Sequence, residues 1–274
     1  SIAVTAPSKS VAVITGAASG IGRELASLFA ARGYGLALVD IDAAGLNVHA
    51  DALRERHGCD VMTYVVDLAQ PQAVRDLATS LDVAYGEHLA LLVNNAGIAL
   101  GGRFDAVKET DFDSCMQINF NAAVQLVRAL LAPLEAGAGG WIVNVSSIFG
   151  IVAPPGQAAY SASKFALRGF SEGLTHELAS RPKIGVTTVF PGGVKTSIAR
   201  NARVPEGVDE GIRAQQIAAM EAKLTMDPQA AAKIIATAVD RRSARVLVGK
   251  DARLAEKIQR LLPTRYWKII GRSA

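Results

Sequence analysis

Cysteine is nearly missing. The 274 residues hold two, Cys59 and Cys115, in different segments and without metal-ligand spacing. That argues against a disulfide framework and points to buried, reduced thiols in a reducing compartment, so a cytoplasmic location is expected. Histidine is also sparse, four residues standing singly, so no metal site is expected. Aromatic residues make up 5% and charged residues 20% of the chain. Basic residues are not interleaved with aromatics, which removes the platform a nucleic-acid binder needs. No apolar run is long enough to cross a bilayer, and no signal peptide is evident.

What is present is apolar bulk: hydrophobic residues make up 50%, with 25 glycines for tight turns. The length suits one large domain, 1–274, with 1–9 as a loose arm. The net charge of +4 is unevenly placed: from Arg241 onward ten Lys/Arg face only Asp251 and Glu256, a balance of +8 that leaves −4 for the remainder. Such a tail suits an anionic partner or surface. A solvated face beside a subunit contact is the favoured alternative.

Short apolar runs alternate with helical patterns. Val11 to Ile14 is the first buried strand, followed by Gly16, Ser19, Gly20, Ile21 and Gly22 and then a helix with Leu25, Leu28 and Phe29. Glycines between a strand and a helix N-terminus let a pyrophosphate approach backbone amides and the helix dipole. The second strand, 36–39, ends in Asp40. An acid there suits the adenosine ribose hydroxyls and repels a 2′-phosphate. No basic residue stands at Ser19 or Ile41 to welcome that phosphate, which favours NAD over NADP. Alternatively, Asp40 caps the next helix.

Further strands are expected at 61–66, 89–93, 141–145, 185–190 and 245–248, and helices at 43–57, 71–84, 109–134, 157–180 and 228–240. This alternation specifies a Rossmann-like, doubly wound parallel sheet of about seven strands between two helical layers. Ligands in such folds bind at the strands' carboxyl ends. Asp67-Leu68, Asn94 to Gly97, Ser146-Ser147 and Pro191 to Thr196 all leave strands there. The pattern weakens over 194–226, which reads as a substrate lid with a short helix at 211–224. The tail from 250 to 274 is a basic amphipathic segment with Leu254, Ile258, Leu261 and Leu262 on one stripe. It could rest on an anionic membrane or pack against another subunit.

Tyr160 and Lys164, four apart on a helix, share a face. An ammonium near a phenol favours the phenolate. Taken alone, the pair could equally be chance residues of a solvated helix.

Together these segments resemble the short-chain dehydrogenase/reductase family over about residues 10 to 250. The family's order of motifs is present: Thr15 to Gly22, Asn94 to Gly97, Asn119, Ser147, Tyr160 with Lys164, and Pro191-Gly192. Ser147 stands thirteen before Tyr160, the family's usual separation, which selects it over Ser146. The resemblance implies that Tyr160 exchanges a proton with the substrate oxygen and that Lys164 lowers its pKa and binds the nicotinamide ribose. Ser147 would hydrogen-bond the substrate oxygen, and Asn119 would hold a relay water. Asp67 and Leu68 would contact adenine, Asn94 with Ala96 and Gly97 the adenosine side, and Val194 and Thr196 the carboxamide. It also implies a homodimer or homotetramer built on the helices of Asn119 and Tyr160.

Substrate selection would fall to Ile98, Leu100, Phe149, Ile151, Val152, Gln157, Gly193 and the 194–226 segment. Most are apolar, so a hydrophobic secondary alcohol or its ketone is expected. An NADPH-dependent ketoacyl-thioester reductase and a non-catalytic cofactor-binding regulator are the alternatives.

Overall fold

The computed structural model describes residues 10–271; the expected loose arm at 1–9 and the last three tail residues lie outside them. Seven strands form one parallel sheet: β1 (Val11–Thr15), β2 (Gly35–Asp40), β3 (Val61–Val65), β4 (Leu89–Asn94), β5 (Gly140–Val145), β6 (Ile184–Pro191) and β7 (Arg245–Val248). Their order is β3-β2-β1-β4-β5-β6-β7. The order reverses between β1 and β4, so the loops leaving these two strands diverge and open a crevice at their carboxyl ends.

Side chains alternate across the sheet, as the two-residue period of a strand requires. Ala12 and Ile14 of β1, with Leu36 and Leu38 of β2, join the core under α1 (Gly20–Ala31), α2 (Ala43–His57) and α8 (Pro228–Asp240). Val11 and Val13, with Ala37 and Val39, join the core on the other face. There they meet α3 (Pro71–Tyr85), α5 (Ala122–Ala136) and α6 (Ala158–Glu177). Because both faces are covered, the strands are continuous apolar runs rather than alternating ones.

The observed elements add detail to the sequence pattern in four places. Asp42, not Asp40, caps α2, its carboxylate accepting from the Gly45 amide at 3.0 Å. The expected helix over 109–134 is divided into α4 (Glu109–Met116), a π turn (Gln117–Asn121) and α5. After α7 (Glu210–Lys223) and α9 (Lys250–Leu261), residues Tyr266–Ile270 form a further short helix, α10. Lastly, α9 packs on Ala252 and Ala255, so the expected leucine stripe points away from the body.

Candidate active site

Thr15, at the end of β1, ties the crevice together. Its hydroxyl oxygen accepts from the Asn95 and Ala96 amides, each at 3.0 Å. The Asn95 side chain donates back to the Thr15 and Gly16 carbonyls, at 3.1 and 3.2 Å. The loop after β1 and the loop after β4 are thereby locked to each other.

Gly16 and Gly20 have φ of +66° and +55°, a region that side chains disfavour. A Cβ at Gly22 would lie 2.1 Å from the Gly16 carbonyl oxygen, and one at Gly20 would lie 2.8 Å from the Thr196 methyl. The N-terminus of α1 carries no acidic residue in its first turn, and Ser19 makes no capping hydrogen bond. Its amides therefore face the loop without a competing anion. A cradle of this shape, open to backbone and closed to side chains, fits a dinucleotide pyrophosphate.

Asp40 sits at the rim. One oxygen accepts from the Ala18 amide at 2.9 Å and the other from the Asp42 amide at 3.0 Å. The carboxylate is thus fixed to the glycine loop. Asp67 accepts from the Ala69 amide at 2.9 Å, and Leu68 is buried beside it. Asn94 lies behind the crevice, donating to the Asn144 side chain at 2.9 Å; Asn144 in turn donates to Ser171 at 2.9 Å. The buried Asn94 Oδ1 has no partner.

The four chemical residues converge on one spot. The π turn drives Asn119 inward, where its Oδ1 accepts from the Ile98 amide at 2.8 Å. Its Nδ2 donates to the Ile98 carbonyl and to Ser163 Oγ, both at 3.0 Å. Lys164 Nζ donates to the Val145 carbonyl at 3.1 Å and lies 5.7 Å from the centre of the Tyr160 ring. A Cβ on Gly97 would fall 3.2 Å from Asn119 Oδ1 and 3.3 Å from Lys164 Nζ, so these groups share one cavity wall. Ser147 Oγ accepts from the Phe149 amide at 3.1 Å and pulls the Tyr160 phenol down, whereas Ser146 donates to the Lys164 carbonyl at 2.9 Å.

The apolar candidates divide into two groups. Ile98, Leu100 and Phe149 pack with Tyr160, Cys115 and Ala159, and the Phe149 ring meets Tyr160 edge-on at 6.0 Å. Ile151 and Val152 instead sit under the tail with Phe190, Ala255, Tyr266 and Ile270. Gln157 is half-buried, its Nε2 3.4 Å from where a Gly101 side chain would begin.

Gly193 has no room for a side chain, because a Cβ would fall 2.0 Å from the Lys223 carbonyl. Its amide donates to Asp251 at 2.7 Å, and its carbonyl accepts from the Thr225 and Met226 amides, each at 2.9 Å. Val194 pairs with Met226. The Pro191 to Thr196 turn, including Gly192, is therefore held by the start of α9 on one side and the end of the 194–226 segment on the other.

The family model for short chain dehydrogenase matches residues 10–207. The chain belongs to the short-chain dehydrogenase/reductase family. This dehydrogenase is 38% identical over 263 residues to the putative oxidoreductase SadH of Mycobacterium tuberculosis, with 95% of this chain and 94% of the relative covered. A short chain dehydrogenase/reductase from Burkholderia phymatum, solved in complex with NAD, superposes with a TM-score of 0.84 at 27% identity, covering 93% of this chain and 94% of the other. The bulky-bulky ketone specific alcohol dehydrogenase of Comamonas testosteroni gives 0.72 at 26% identity, covering 94% and 95%. The enzyme is an NAD(P)-dependent oxidoreductase.

Electrostatics in this dehydrogenase follow from burial. The Tyr160 phenol is pushed up to about 12 by desolvation, against which the Ser147 hydrogen bond pulls down. The buried Lys164 ammonium is pushed down to about 8 by the same cause. Desolvation thus outweighs the lowering of Tyr160 expected from its lysine neighbour, and the phenol keeps its proton at neutral pH.

Three further residues hold the site together: Asn95 through Thr15, Ser163 through Asn119, and Asp251 through the Gly193 amide. The repeated asparagine was the one available signal, since successive positions leaving a strand point to opposite sides.

Proposed function

We propose that the enzyme transfers hydride between NAD(H) and a hydrophobic secondary alcohol or its ketone, with Tyr160 as general acid and base. The observation that carries this reading is the buried convergence of Asn119, Ser147, Tyr160 and Lys164 beside an apolar wall of Ile98, Leu100 and Phe149. The bound nicotinamide supplies the hydride chemistry. The chain's own residues do the rest. In reduction, Ser147 donates a hydrogen bond to the carbonyl oxygen, stabilising charge as it develops there. Tyr160 then gives that oxygen its proton. In oxidation the phenolate takes the proton from the alcohol. Lys164 holds the nicotinamide ribose and, while charged, favours the phenolate. Asn119 carries the proton route from Lys164 toward solvent through a held water.

The rim carboxylate supports NAD over NADP. Asp40 is fixed by two backbone amides, so it cannot swing away from a 2′-phosphate without breaking both bonds. The apolar wall of Ile98, Leu100 and Phe149 supports a hydrophobic substrate, and a solved neighbour from Comamonas testosteroni is a ketone-specific alcohol dehydrogenase. The 194–226 segment serves as the substrate lid in this reading. The α6 face, where Phe165 is partly exposed, serves with α4 and α5 as the contact for a homodimer or homotetramer.

The test is absorbance at the reduced-nicotinamide band, with NAD or NADP and a panel of secondary alcohols, beside Tyr160→Phe. The expected result is NAD-dependent turnover of aliphatic or aromatic alcohols, reduced about 10²–10⁴-fold in the variant. Tighter binding of NADPH than NADH would favour the ketoacyl-thioester reductase. Cofactor binding with no turnover of any alcohol or matching ketone would favour the regulator.

A further inference from the structure

The tail helix α9 is mounted with its apolar side outward. Leu254, Ile258 and Leu261 recur at i, i+4 and i+7, one stripe of a helix. Leu254 is 60% and Leu261 79% exposed, and Ile269 of α10 adds a further apolar residue at 46%. The orientation is fixed from beneath. Ala252 and Ala255 fill the buried side, and Glu256 accepts from Arg245 at 2.6 Å. Arg245 also reaches Glu172 of α6, at 2.9 Å, and its guanidinium lies 4.4 Å from the centre of the Phe190 ring. Tyr266 anchors α10 by accepting from the Ala153 amide at 3.0 Å. Rotating α9 to bury its leucines would expel Ala252 and Ala255 from the body and break the Arg245–Glu256 ion pair.

Beside the stripe stand Arg253, Lys257, Arg260, Arg265 and Lys268, all exposed. Among the described residues only Arg260 of these has an acidic partner, Glu256. The surface is therefore an outward apolar strip bordered by unneutralised cations, on helices held rigidly by the body.

We propose that this face docks on an anionic bilayer surface. The leucine stripe would enter the headgroup–acyl boundary while the flanking cations meet lipid phosphates. The charge arrangement selects this occupant. A second copy packed on the same face by twofold symmetry would bring the cations of both tails together, which is repulsive. A nucleic acid would satisfy the cations and leave the leucines in water. No helix among the described residues is long and apolar enough to cross a membrane, so the enzyme would lie on the surface.

The experiment is co-sedimentation of the full chain with phosphatidylcholine vesicles and with vesicles containing equal parts phosphatidylcholine and phosphatidylglycerol, at low and high salt. The variants are Leu254→Ser/Leu261→Ser and Lys257→Glu/Lys268→Glu; all four side chains are exposed, and a thermal melt checks the fold. The proposal expects binding to the phosphatidylglycerol vesicles, weakened by salt. It expects a loss of about tenfold or more in the serine variant and about fivefold or more for each cation removed in the glutamate variant. No sedimentation with phosphatidylglycerol vesicles overturns it, as does equal binding to pure phosphatidylcholine. Vesicle binding unchanged in both variants overturns it too. A serine variant that loses oligomer mass by light scattering, from a wild type that ignores vesicles, would assign the face to self-association instead.

Discussion

The two walls of the crevice are made by different means. The wall from β1, β2 and β4 is buried and closely fitted: glycines touch backbone, Asp40 is held by two amides, and Thr15 and Asn95 bind each other's loops. The opposite wall, residues 194–226, contains α7, in which no residue is buried. It is fastened by exposed ion pairs, Arg200 with Glu221 and Lys108 with Glu206, and by short backbone pairings such as Leu100 with Arg203. A buried, fitted wall tolerates almost no change, whereas an exposed one can be rebuilt without unfolding the protein. In the function proposed above, the first holds the nucleotide and the second meets the substrate.

That contrast can be broken most severely at Gly22. Adding one methyl group there, by Gly22→Ala, forces a carbon into the Gly16 carbonyl, and neither backbone can yield. A loss of about 3 kcal/mol or more is expected from such overpacking, read as a lower Tm together with lost NAD binding by fluorescence titration. Asp251→Ala comes next in size. It frees the Gly193 amide and loosens the turn proposed to hold the nicotinamide. The KM for NAD should rise about ten- to a hundredfold, the worth of one hydrogen bond to a charged group, while Asp251→Asn, which keeps an acceptor, should recover most of it.

A third test uses pH. The phenol, pushed up to about 12, stays protonated through the neutral range, and Lys164 loses its proton near about 8. Alcohol oxidation needs the phenolate, so its rate should climb up to about tenfold per pH unit below 8 and bend over above it as the cation is lost. Ketone reduction needs the protonated phenol, which persists well above neutral pH, so its rate should stay level and fall above about 8 only through loss of the Lys164 cation. Lys164→Arg, whose charge persists, should remove the bend. The depressed lysine also means that the unfolded chain binds the extra proton between about 8 and 10.5, so this group's contribution to stability rises with pH across that window. The smallest effect is expected at Arg200→Ala. Its ion pair with Glu221 is exposed, so stability should change by under about 1 kcal/mol, and the variant should alter the substrate KM while leaving the KM for NAD in place.

Legibility in the sequence follows the same division. The strands were readable because a doubly covered sheet demands uninterrupted apolar runs, and the glycine loop because only glycine fits where backbones touch. The division of the 109–134 helix was not readable. The π turn at Gln117–Asn121 is held by Asn119 bonding Ile98 and Ser163, partners 21 and 44 residues away that no local pattern reveals. The facing of α9 was hidden for a related reason. A leucine stripe announces an amphipathic helix but not which side the body occupies, and here the body takes the small alanines. Ile151 and Val152 were among the apolar candidates for the substrate; their place beneath α9 and α10 depends on a tail about a hundred residues further on.

The bond between Thr15 and Asn95 also bears on how the molecule is assembled in time. Its partners are 80 residues apart, and β1 pairs with β4 only after β2 and β3 have been passed over. Closing so long a loop costs entropy before any contact repays it, and chains built on such distant pairings fold slowly. A ribosome that has released only β1, α1 and β2 has exposed a glycine loop that nothing yet holds in shape. Cofactor is then no help to the earliest folding steps. Its stabilising influence begins only once β4 has docked, which places nucleotide binding late in the maturation of the chain.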